Sequence, residues 1–135
     1  MHASALVRLV EAYLHLGRID QATSGAERAV DLSRKRNERG TEARALRLQA
    51  AAYQRADVSR LEDAEAAYRA AMVIADESSM RPQAALCRLG LGALLAAAGR
   101  GREARELLRA AETGARRLGI AGAAEEAARE LARLE

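Results

Sequence analysis

The sequence predicts an all-α protein, a solenoid of seven helices built as a repeat array, and three observations carry that reading. About a quarter of the 135 residues are Ala, and Phe and Trp are absent. Ala costs no side-chain entropy in a helix and lets helix backbones approach closely, so this composition suits tight helix packing rather than a wide core. Pro82 is the only proline, which leaves long stretches free to be helical. Three short cues recur, GRIDQA at 17–22, SRLEDA at 59–64 and GRGREA at 99–104, and each reads as a turn followed by a helix start.

The residues after each cue also repeat. Ala22 is followed by Ala26 and Ala29, Ala64 by Tyr68 and Ala71, and Ala104 by Leu108 and Ala111. The offsets of four and seven place one stripe on one helix face. The repeat is about 40 residues long, and a further helix precedes each cue. The first of these carries Leu6, Leu9, Val10 and Tyr13 and stops at Gly17. The next carries Leu46, Ala50 and Tyr53, with Thr41 as its expected cap after Gly40. The last carries Leu91, Gly92 and Leu95, with Pro82 in its first turn and Gly99 at its end. The pattern predicts helices over residues 3–16, 20–37, 41–56, 61–78, 82–98 and 102–117. A seventh, over 121–134, has the stripe Ala124, Ala127, Ala128, Leu131 and Leu134 and a charged back, as the capping helix of a stacked array requires. Short loops and the lack of a linker predict one domain over 1–135, with units 3–37, 41–78 and 82–117.

These small-residue positions, the glycine at the first turn and the Ala–x3–large–x2–Ala second helix resemble the tetratricopeptide repeat. The resemblance covers almost the whole chain, with a spacing longer than that family's usual 34 residues. The longer form is similar to repeat regions of large bacterial regulators, such as signal-transducing ATPases, transcriptional activators and nucleotide cyclases. The stretch MRPQAALCRLGLGALLAAAGRGREARELL at 80–108 resembles the C-terminal repeats of the cyclase and ATPase proteins most closely. The resemblance implies a right-handed superhelix and a protein-interaction role without catalysis, because none of the attached catalytic modules is present. Two departures stand out. Gln49 and Arg88 occupy positions where the family has a large apolar residue, and two extra residues separate Tyr53 from Ala64.

Charge and chemistry point the same way. The net charge is +3, from 22 basic and 19 acidic residues, interspersed as on solvated helix faces. No apolar run is long enough to span a membrane, and the start of the chain lacks the pattern of a signal peptide. Cys87 is alone, so no internal disulfide forms, and a reducing, cytoplasmic setting is expected. Cys87 lies between Leu86 and Leu89 and reads as a buried structural thiol. His2 and His15 are the only histidines, too few for a metal site or a catalytic pair. Glu62, Asp63 and Glu65 open a helix, where carboxylates suit the positive end of its dipole. Gly90 and Gly92 sit within a helix rather than after a strand, so they read as sites of close helix approach and not as a phosphate loop. No enzyme activity, cofactor or metal is expected.

In a tetratricopeptide-type array the first helices of successive units line a concave groove. Helical spacing places Glu11, Leu14 and His15 on that surface in the first unit, beside Ser4 and Val7. It places Arg44, Arg47, Gln54 and Arg55 in the second and Leu86 and Leu89 in the third. The expected partner is a peptide or helix of another protein, with acidic groups for the arginines and an apolar anchor for the leucines. The alternative is homodimerisation through the fifth helix, which carries Leu86, Leu89, Leu91, Leu94 and Leu95 nearly all round. A weaker alternative is nucleic-acid binding by the run SRKRNERG at 33–40 with Arg116 and Arg117. Intervening acids and scarce aromatics argue against it.

Overall fold

A computed structural model describes all of residues 1–135. It is all-α, with no strand. The helices are α1 (Ala3–His15), α2 (Ile19–Lys35), α3 (Arg39–Ala56), α4 (Leu61–Glu77), α5 (Arg81–Ala97), α6 (Gly101–Leu118) and α7 (Ala121–Arg133). Each helix packs against the next in the chain, and α1 also meets α3, α3 meets α5 and α5 meets α7. The even-numbered helices make no such contact with one another.

Five of the six connections are the same turn. Gly17, Asn37, Ser79, Gly99 and Gly119 all take a left-handed φ, between 54° and 82°. In each case the next N–H reaches back across the helix end, as from Arg18 to the Tyr13 carbonyl (2.8 Å), Met80 to Ala75 (2.8 Å) and Arg100 to Leu95 (2.9 Å). These six-to-one bonds satisfy carbonyls that a helix end otherwise leaves open. The same residue's carbonyl then accepts from the N–H four residues on, starting the next helix: Arg18 from Ala22, Arg100 from Ala104. No α-helix is capped by a side chain. That corrects the expectation for Thr41. Asn37 turns the chain early, α3 begins at Arg39, and Thr41 lies within its first turn. The sixth connection holds the extra residues before Ala64 as a 3₁₀ turn, Val58–Arg60, opened by Asp57, whose side chain accepts from the Ser59 N–H (3.1 Å).

Ser79 bears a side chain in a conformation that costs L-residues about 1 kcal/mol and glycine nothing. Ser79→Gly is therefore expected to raise stability by roughly 0.5–1 kcal/mol, a gain of a few degrees in melting temperature, whereas Gly99→Ala loses about as much. Thermal unfolding of the two variants checks the opposite signs.

The small residues let the helices close on one another. A Cβ on Gly25 would stand 2.8 Å from Val10, one on Gly90 2.5 Å from the Tyr68 ring, and one on Gly92 2.7 Å from Leu108. Gly90 and Gly92 are thus the close-approach points expected from the sequence. The core runs in two linked clusters. One gathers α1, α2, one side of α3 from Ala43 to Ala52, the end of α4 and Cys87 of α5; the other gathers Ala50 and Tyr53 of α3, the start of α4, and α5, α6 and α7. Leu9, expected in the apolar stripe, is 37% exposed: α1 has only α2 and α3 beside it, and Leu6, Val7, Val10 and Leu14 take the inner positions. Gln49 and Arg88, placed where the resemblance implies large apolar residues, are half-buried with their polar groups paired. Gln49 donates to the Tyr53 hydroxyl (3.0 Å), and Arg88 holds Asp76 with two bonds (3.1 and 2.9 Å).

Candidate interaction surface

The odd-numbered helices form one row, and the polar residues predicted to line it meet across the helix junctions. Arg44 of α3 faces Glu11 of α1 at 3.5 Å. Arg55 donates to the Leu14 carbonyl (2.7 Å) at the C-terminal end of α1, where a cation suits the helix dipole. Arg47 donates to the amide oxygen of Gln83 on α5 (2.8 Å). Gln54 accepts from the Tyr68 hydroxyl of α4 (3.1 Å). His15 is exposed and Leu86 half-buried.

Two of the predicted lining residues belong elsewhere. Leu14 packs into the core with α1, α2 and α3, and Leu89 packs into the core that includes Ala127 and Leu131 of α7. Val7, placed beside them, is fully buried. Each sits at the edge of its helix stripe, and the close approach of alanine-rich helices carries that edge under the neighbouring helix. Leu91, Leu94 and Leu95 are buried too, so of the five leucines of α5 only Leu86 keeps an open flank. Apart from Leu86, the apolar surface that motivated a dimer through α5 is covered within the chain.

Burial pushes the Tyr68 phenol up to about 12 and the Cys87 thiol up to about 11, and the Arg47 charge opposes both shifts. Cys87 is fully buried, as a structural thiol should be. The basic run at 33–40 is partly neutralised, since Arg34 bonds Glu42 (2.9 Å) and Arg39 bonds Glu77 (3.1 Å). On the outer side, Glu65, Arg69, Arg100 and Glu103 close a ring of ion pairs of 2.6–2.9 Å between α4 and the start of α6. Hydrogen bonds from Arg69 first, and then Arg100, hold the Glu103 carboxyl below the usual range.

None of the five principal surface clefts contains a residue predicted for the groove. The largest, about 600 Å³, lies where the end of α4 meets the first half of α5 and the second half of α6. Sequence reasoning missed it because its walls come from three helices and show no motif. Compared with known proteins, the chain matches no family model, and a search of curated sequences found no match.

Proposed function

We propose that the chain is a non-catalytic protein-interaction scaffold, a right-handed superhelical array of tetratricopeptide-like helix pairs closed by α7. It binds an acidic peptide or helix of a partner on the face of α1, α3 and α5. A role as the regulatory repeat module of a larger cytoplasmic bacterial signalling protein accompanies that reading, on the strength of the resemblance. The observation that carries it is the row of odd-numbered helices with Arg44, Arg47 and Arg55 along its middle member.

The partners these arginines now hold are weak ones. Gln83 and the Leu14 carbonyl are neutral, and the Glu11–Arg44 pair is a surface contact worth under about 1 kcal/mol. The Arg47–Gln83 bond is already charge-assisted through its donor, but a carboxylate adds the opposite charge and can engage a guanidinium with two parallel bonds. An incoming carboxylate therefore competes with the Gln83 amide for Arg47.

Peptide-display selection tests the reading. Wild-type protein is expected to enrich sequences rich in Asp and Glu. Arg47→Glu, which leaves no carboxylate of the chain unpaired, should weaken them by roughly tenfold, about 1.4 kcal/mol. Selections that enrich no acidic sequence, or affinities that Arg47→Glu leaves unchanged, would sink it.

A further inference from the structure

We propose that the cleft between α4, α5 and α6 is a second docking site, for a short acidic segment of a partner protein in which carboxylates flank an aliphatic side chain. It lies apart from the arginine row: Arg81, Ala84, Ala85 and Arg88 share one face of α5, and Gln83, bound to Arg47, lies on another.

Three features of the cleft argue for this occupant. The first is charge. Arg81, Arg88 and Arg117 line it against a single acid, Asp76. Asp76 is taken by Arg88, while Arg81 and Arg117 make no ion pair or hydrogen bond within the chain. Arg117 stands in the last turn of α6, where a cation suits the dipole and needs no further reason. Arg81 is the opposite case. It is the first residue of α5, at the positive end, with no acid in that turn and no side-chain cap. An incoming carboxylate relieves that repulsion, and two free guanidinium groups line the cleft to receive the acids of the segment.

The second feature is Gly114. Gly25, Gly90 and Gly92 are explained by neighbours that a Cβ would strike, but a Cβ on Gly114 would meet only Ala85, at an ordinary 3.6 Å. An interior helical glycine costs about 1 kcal/mol against Ala, and packing gives no return for it here. What the missing side chain does is keep the cleft floor open. The third feature is that floor. Ala84, Ala85 and Ala110 are small and apolar, and Leu118 stands 39% exposed at the rim. A phosphate or a nucleic-acid backbone has nothing to place there, whereas an aliphatic residue between two acids does.

The test is a nuclear magnetic resonance titration of the isotope-labelled chain with the blocked tripeptide Glu-Leu-Glu. Saturating shifts are expected at the amides of Ala84, Ala85 and Gly114. Arg81→Glu with Arg117→Glu should weaken binding at least tenfold, and Gly114→Leu, which fills the floor and keeps the charges, should do the same. Asp76→Asn frees Arg88 and should tighten it. Arg47→Glu should leave these shifts unchanged, which separates this site from the arginine row. The proposal is overturned by no saturating shift at those amides, or by equal binding to the charge-reversed protein. It is also overturned if inorganic phosphate or a single-stranded oligonucleotide moves the same amides as strongly, because the apolar floor then plays no part.

Discussion

Gly92→Ala is expected to destabilise the protein by about 2 kcal/mol, although Ala is the better helix former by about 1 kcal/mol. The added Cβ would lie 2.7 Å from Leu108 Cγ and 2.8 Å from its Cδ2, with the Leu108 backbone nitrogen at 3.4 Å. Leu108 is fully buried in the core shared by α3 to α7, so relieving the clash means shifting Leu108 within close packing or parting α5 from α6. Leu108→Ala alone removes a buried side chain and leaves a cavity, for about 2–5 kcal/mol. In the double variant the new methyl enters space that Leu108 has vacated. The combined loss should therefore fall short of the sum by at least about 1 kcal/mol. Urea unfolding of the four proteins measures this, and strict additivity would mean that the two residues do not share the space the geometry gives them.

Helix boundaries were legible in the sequence because local rules set them. Gly17 and Gly99 mark left-handed turns, Pro82 falls in a first turn, and the seven helices begin and end within two residues of the expected places. Asn37 and Ser79 form the same turn without glycine, since backbone bonds rather than side-chain caps close it, and that misled the placement of Thr41. The glycines of α5 announced a close approach, but not which ring or side chain would fill it; Tyr68 and Leu108 do. Spacing alone put Leu14 and Leu89 on an open surface, because it gives a side chain's direction and not how near the next helix comes. The large cleft was invisible for a related reason. Arg81 and Arg117 are 36 positions apart, and only the α5–α6 hairpin brings them to one hollow.

Stability is expected to fall steeply between about pH 9 and pH 12, through the two buried acids of the core. Cys87 is raised from an ordinary 9.0 to about 11, and Tyr68 from 10.0 to about 12, in both cases chiefly because burial penalises the anion. Tyr53 shifts in the same direction, mainly from burial and then from Glu27. Below their unfolded values both groups are protonated in either state, and their contribution is fully present. As pH rises, the unfolded chain releases these protons first, so it binds fewer protons than the folded one and unfolding is drawn forward. Each group gives up about 3 kcal/mol once the pH has passed its folded value, a large share of the stability of a domain this size. Tyr68→Phe with Cys87→Ala removes both titrations. It should lower stability modestly at pH 7, where Gln54 loses its donor and a small cavity opens, and flatten the alkaline decline. The urea midpoint followed from pH 7 to beyond pH 12 separates the effects. If the double variant declines as steeply as the wild type, the alkaline sensitivity does not arise from Tyr68 and Cys87.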